Sequence, residues 1–124
     1  MTIKVLAIDD SRTIRSLVQK VMEDAGFQCT LADDGVQGVA LFRQDPPDVV
    51  ITDINMPNMD GYGVISAIRG GEVHRNVPIL VLTTESAPQL KARARDAGAT
   101  GWIVKPFDDA AIVSVVRRVT GARG

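Results

Sequence analysis

With one cysteine in 124 residues the chain has no internal disulfide to draw on, and Cys29 lies in an apolar stretch where a small core side chain is the ordinary reading. A basic excess is also missing: 14 Lys and Arg against 15 Asp and Glu leave a net charge of -1, which argues against a general nucleic-acid binder. No apolar run outgrows a strand, so no transmembrane helix is expected. Met1 to Lys4 lacks the charged-then-apolar build of a signal peptide. The first strand-to-helix turn carries no glycine-rich sequence to cradle a phosphate. His74, the one histidine, sits in a loop-like stretch from Glu72 to Asn76, where a solvated side chain is the plain expectation. These absences leave a single domain over residues 1–124, expected to be cytoplasmic and monomeric. It shows no linker, low-complexity tract or internal repeat.

What is present is organised around Val49-Val50-Ile51-Thr52-Asp53 and the turn residues that follow it as far as Gly61. A continuous run rich in β-branched residues predicts a strand covered on both faces, hence a parallel sheet. An aspartate at the C-terminal end of such a strand sits where open α/β sheets place their ligands. A simple turn cap is the alternative for Asp53.

Similar units flank this one. Lys4 to Ile8 runs into Asp9-Asp10, and Ile14, Leu17, Val18, Val21, Met22 and Ala25 then recur at helical spacing. Ser11 or Asp10 can cap that helix and Gly26 can end it. Phe27 to Ala32 predicts a second strand; Asp34 and Gln37 then stand at capping-box spacing before a helix that Asp45-Pro46-Pro47 stops. Val64, Ile65 and Ile68 mark a third helix, closed by Gly70-Gly71. Pro78 opens the fourth unit, with a strand from Ile79 to Leu82, an exit at Thr83-Thr84-Glu85, and a helix with capping-box spacing from Ser86 to Gln89. Gly101 to Val104 predicts the fifth strand, followed by Lys105-Pro106-Phe107 and a helix from about Asp108 with Ile112, Val115, Val116 and Val119 on one face. Five alternating strand–helix units, with strands too apolar to be half-exposed, predict a doubly wound α/β domain with right-handed crossovers.

In a parallel sheet all strand exits share one edge. Asp9 and Asp10, Asp53, Thr83 and Lys105 are therefore expected on the same rim. If the first strand neighbours the third, three carboxylates converge where the strand order reverses. Like charges about 4 Å apart at an effective dielectric near 20 repel by roughly 4 kcal/mol, so such a cluster expects raised pKa values or a cation. An all-oxygen donor set suits Mg²⁺, and the backbone carbonyl of Asn55 could complete its shell. A carboxylate beside that ion can act as a nucleophile toward phosphorus. Lys105 would be the fixed cation and the Thr83 hydroxyl the donor for the phosphoryl oxygens. A lone lysine before proline would otherwise be a solvated loop charge.

Asp9-Asp10, Asp53 ahead of Met56-Pro57 and Asp60-Gly61, Thr83, and Lys105-Pro106-Phe107 resemble, over nearly the whole chain, the receiver domain of two-component response regulators. The resemblance implies a flavodoxin-like five-stranded sheet in the order 2-1-3-4-5, flanked by five helices and without an output domain. It implies that Asp53 accepts a phosphoryl group from the phosphohistidine of a sensor kinase. Asp10, Asp53 and the Asn55 carbonyl would ligate Mg²⁺, with Asp9 acting through water. Lys105 and Thr83 would contact the phosphoryl oxygens, and the Lys105–Pro106 peptide would be cis. The chain would not be an enzyme beyond self-catalysed phosphoryl acceptance and slow self-hydrolysis.

The run from Asn55 to Gly61 looks most like the stand-alone chemotaxis regulators. That implies a chemotaxis histidine kinase as donor and the flagellar motor switch as target; a phosphate sink or phosphorelay intermediate would use the same residues. Two positions depart from the pattern. Trp102 stands where the family's switch aromatic is usually Tyr or Phe, and Ser11 follows the acidic pair where chemotaxis members often carry an aromatic. Phosphorylation is expected to draw Thr83 toward the phosphoryl group and let Trp102 turn inward; a permanent core or interface role is the alternative for Trp102. Among rival readings, a flavin-binding module would want a phosphate cradle where Asp9-Asp10 stand. A Mg²⁺-dependent phosphatase usually needs a lid domain and a further acid–base carboxylate. A phosphate-independent adaptor would have lost Asp53, Lys105 or the acidic pair.

Overall fold

Strands and helices alternate along the computed structural model, which describes residues 2–121. They are β1 (Lys4–Ile8), α1 (Arg12–Asp24), β2 (Gln28–Ala32), α2 (Gly35–Gln44), β3 (Val49–Thr52), α3 (Gly61–Arg69), β4 (Ile79–Thr83), α4 (Pro88–Ala97), β5 (Gly101–Val104) and α5 (Asp109–Val119). The strands form one sheet in the order β2-β1-β3-β4-β5, and every pairing is parallel.

Successive strand residues point to opposite faces, and the core divides accordingly. Val5 and Ala7 of β1, Val49 and Ile51 of β3, and Leu80 and Leu82 of β4 pack with Val18 and Met22 of α1 and Ile112 and Val116 of α5. Leu6, Ile8, Val50, Ile79 and Val81 face the other way, against Phe42 of α2, Ile65 and Ile68 of α3, and Ala94 of α4. A strand covered on both sides is buried at every position. β3 and β4 meet that condition, down to the polar Thr52 and Thr83 that close them.

The outer strands do not. Gln28 and Thr30 of β2 are exposed, and so is Val104 of β5, which corrects the expectation that no strand is half-exposed. An outermost strand is covered only as far as the neighbouring helices reach.

Side chains set most helix starts. Ser11 rather than Asp10 caps α1, its Oγ accepting from the Ile14 N–H at 3.3 Å. Asp34 caps α2 through the Gln37 N–H at 2.8 Å, and the Gln37 side chain accepts in return from Asp33. Asp60 and Asp108 cap α3 and α5. The capping box expected between Ser86 and Gln89 does not form. α4 begins one residue later, with Ala87 at the N-cap position and no side-chain cap bond. Pro88 explains the shift, because it biases Ala87 toward extended backbone and is itself preorganised for the first helical position.

Candidate functional site

β1 and β3 run side by side with Ile8 opposite Thr52. The next residue of each strand, Asp9 and Asp53, therefore emerges at the same level of the sheet edge. The ladder continues through them: Asp53 N–H donates to the Ile8 carbonyl at 3.0 Å and Asp9 N–H to the Ala32 carbonyl at 3.1 Å. Asp10 follows on the turn into α1. Carboxylate oxygens of Asp9, Asp10 and Asp53 lie within 4.8 Å of one another, so the convergence expected from the strand exits is realised.

Lys105 reaches this cluster from the end of β5, and the peptide on its C-terminal side, Lys105–Pro106, is cis. Its Nζ donates to Asp9 Oδ2 at 2.8 Å and to Asp53 Oδ2 at 2.9 Å. Asp9 and Asp53 are only 4% and 9% exposed, whereas Asp10 is open to solvent. The other oxygens of the buried pair are held by backbone amides, Asp9 Oδ1 by Ser11 N–H at 2.9 Å and Asp53 Oδ1 by Ile54 N–H at 2.6 Å.

Burial holds the Asp9 carboxyl above the ordinary carboxylate value; the hydrogen bond from Lys105 works against this, and the Asp53 charge adds to it. For Lys105, burial favours the neutral amine, but the bonds to Asp9 and Asp53 outweigh it and the net shift is upward. Three carboxylates and one ammonium leave a formal charge of -2 on the cluster when all are ionised. An all-oxygen donor set with that deficit fits a hard divalent cation of the Mg²⁺ type. Asp10, Asp53 and Asp9 are the side chains placed to hold it.

The loop after β3 is shaped for a close approach. A Cβ at Gly61 would collide with the Asp53 carbonyl oxygen, and the Gly61 N–H donates to the Ile54 carbonyl at 2.8 Å. Only glycine lets α3 start so near Asp53. Asn55, also on this loop, is exposed, and its side-chain amide donates to Glu85 Oε1 at 3.1 Å.

Thr83 ends β4 fully buried, and its hydroxyl accepts from the Glu85 N–H at 3.3 Å instead of touching the carboxylates. Trp102 lies half-buried on β5, packed against the core layer under α3 and α4, and its indole N–H donates to the Glu85 carbonyl at 3.1 Å. The absence of a hydroxyl on this aromatic is thus made good by the ring nitrogen. Glu85 joins three parts of the site edge: β4 through Thr83, the β3–α3 loop through Asn55, and β5 through Trp102.

Two residues escaped the sequence reading as partners, Glu85 and Arg15. Arg15 sends Nη1 from α1 to the Asp9 carbonyl at 2.7 Å; its signal was a cation six positions after Asp9 in the opening of a helix. His74 is exposed in the loop after α3, in left-handed backbone at φ 39°, away from any described acidic partner. Cys29 packs beside the core with its thiol pushed up to about 12 by burial, which makes it an inert side chain at neutral pH. No helix among the described residues is long and apolar enough to cross a membrane.

Residues 5–117 match the family described as the response regulator receiver domain. Chemotaxis protein CheY-3 of Vibrio cholerae is 37% identical over 110 residues, 88% of this chain and 85% of that protein. The crystal structure of CheY4 of the same organism superposes with a TM-score of 0.91 at 40% identity, covering 96% of this chain and 99% of that one. The receiver domain of a sensor histidine kinase from Pseudomonas aeruginosa, solved with a magnesium ion coordinated in its active-site cleft, superposes with a TM-score of 0.90 at 26% identity, covering 98% and 99%. The five parallel strands in this order, the carboxylate cluster at their exits and a match over almost the whole length leave one assignment: the chain belongs to the response regulator receiver domain family.

Proposed function

We propose that the chain is a phosphorylation-activated switch in which Asp53 accepts a phosphoryl group from a histidine kinase. The observation that carries this is the convergence of Asp9, Asp10 and Asp53 with Lys105 bridging the buried pair. In the transfer an Asp53 oxygen bonds to phosphorus, the phosphorus–nitrogen bond of the phosphohistidine breaks, and the departing imidazole takes up a proton. Both Asp53 oxygens are already engaged, one by Ile54 N–H and the other by Lys105. Acceptance therefore moves Lys105 from the carboxylate onto a phosphoryl oxygen. The Thr83 hydroxyl, released from Glu85, serves another. Asp10, Asp53 and the Asn55 carbonyl would hold Mg²⁺, with Asp9 acting through water, and the ion would supply charge neutralisation when bound. The chain's own chemistry is limited to accepting the group and hydrolysing it.

The readout runs through Glu85. A Thr83 hydroxyl that turns to the phosphoryl group gives up the Glu85 N–H and loosens the loop whose carbonyl Trp102 holds. The aromatic is already half-buried and bonded, so the switch is a change in what Trp102 grips more than a swing from solvent to core. Relatives named for chemotaxis support a chemotaxis role for the switch; within that reading the donor is a chemotaxis histidine kinase, the target is the flagellar motor switch, and the chain acts as a cytoplasmic monomer.

Intact mass after incubation with acetyl phosphate and Mg²⁺ tests the acceptor. A Mg²⁺-dependent gain of one phosphoryl mass is expected on the wild type and none on Asp53→Asn. Equal labelling of both proteins, or none on a folded wild type with either acetyl phosphate or a kinase, would remove Asp53 from the role.

A further inference from the structure

Arg15 has no part in the chemistry above, yet it breaks a local rule. It stands at the fourth position of α1, half-buried, where a cation opposes the helix dipole. The first turn of α1 offers no acidic residue to offset it, and Arg12 adds a second cation. The compensation lies outside the helix, in the 2.7 Å bond from Arg15 Nη1 to the Asp9 carbonyl. A charged donor on a neutral acceptor makes a strong bond.

That carbonyl is the last atom group before Asp10. Every other polar group of Asp9 is also tied: its N–H to Ala32, Oδ1 to Ser11 and Oδ2 to Lys105. Asp10 is the contrast. It is exposed, and among the described residues its carboxylate has no hydrogen-bond partner. Its direction is set only by the turn that carries it. Arg15 also lines, with Asp9, Asp53 and Ile51, a small cavity of about 10 Å³.

We propose that Arg15 is a positioning residue for divalent-cation binding: by clamping the Asp9 carbonyl it fixes the β1–α1 turn so that the Asp10 carboxylate faces Asp9 and Asp53. This rests on the metal reading above. Charge and geometry predict opposite signs for its removal. On charge alone, deleting a cation beside three carboxylates tightens Mg²⁺ binding. If Arg15 positions the turn, deleting it weakens Mg²⁺ binding, as the loss of residues that orient metal ligands commonly does by about tenfold or more.

The experiment is calorimetric titration of Mg²⁺ alone into unphosphorylated wild type, Arg15→Ala, Arg15→Gln and Arg15→Lys, with a metal-free melt of each to establish that it is folded. The expected result is a Kd raised about tenfold in Arg15→Ala and in the same direction in Arg15→Gln, with Arg15→Lys restored to within about threefold of wild type. Labelling by acetyl phosphate should then need more Mg²⁺ but reach nearly the wild-type rate at saturation. A Kd unchanged or lowered in whichever of the Ala and Gln variants is folded overturns the proposal, even if its melting point drops. An Arg15→Lys variant as weak as Arg15→Ala overturns the carbonyl clamp. A folded wild type that binds no Mg²⁺ overturns the metal reading and this inference together.

Discussion

α1 and α4 lie on opposite faces of the same sheet and are held by different physics. α1 is capped by Ser11, buries Val18, Val21 and Met22, and shares a core layer with α5 and three strands. α4 starts without a side-chain cap, and Ala94 alone is fully buried among its residues. Its outward face carries Lys91, Arg93 and Arg95. What holds it is a few directional contacts. The Tyr62 hydroxyl donates to the Leu90 carbonyl at 3.1 Å, and the Arg93 guanidinium lies 3.8 Å over the Tyr62 ring. Arg69 donates twice to the Gly98 carbonyl, at 3.0 and 2.8 Å.

Burial is lost only on unfolding, whereas a single directional contact can open alone. α1 therefore resists local opening more than α4 does.

The strongest test of this contrast is packing. Met22→Ala should lower unfolding free energy by about 2–5 kcal/mol in urea denaturation, and Leu90→Ala by less than about 2 kcal/mol because half-buried α4 has less to lose. Equal costs would erase the difference between the helices.

Asp9→Asn, measured without metal, should raise stability at neutral pH. The sign follows from Asp9's raised pKa: its folded form favours the protonated carboxyl, so that contribution is whole below the unfolded value of 3.8 and is lost as pH rises through the folded value. The advantage of Asp9→Asn should accordingly shrink as pH falls toward 3.8. A variant less stable than wild type at pH 7 would mean that the Lys105 contact outweighs burial.

Tyr62→Phe should cost about 1 kcal/mol and speed amide exchange in α4 while leaving α1 unchanged; parallel acceleration in both helices would deny α4 its separate opening. Arg93→Ala should have the smallest effect, about 0.5–1 kcal/mol for an exposed cation–π contact, again with its exchange signature confined to α4.

Much of the fold was legible in the sequence because its signals are local. The β-branched run at Val49, the helical spacing from Ile14 to Ala25, the Asp34 cap and the stop at Pro46-Pro47 each act within a few residues. Two expectations went astray for reasons equally physical. Ser86 and Gln89 had the right spacing for a cap, but Pro88 between them moved the helix start. β2 and β5 read as buried strands, but whether a strand lies at an edge depends on the order of pairing, which periodicity does not encode. Glu85 was visible only as a strand exit. Its contacts to Asn55 and Trp102 span 30 and 17 positions, beyond the reach of any local pattern.

By itself the sequence determined the chemistry of the rim: which strand ends in Asp9-Asp10, which in Asp53, which in Thr83, and that a lysine follows the fifth. Those are statements about single residues and the short apolar runs that carry them. Only the tertiary structure decided that Lys105 bridges Asp9, 96 positions away, and Asp53, that Glu85 joins three elements, and that Arg15 reaches back to the turn it follows. A one-residue slip between β1 and β3 would leave every local signal intact and separate the carboxylates. The register of Ile8 against Thr52 is set by packing on both faces of the sheet at once.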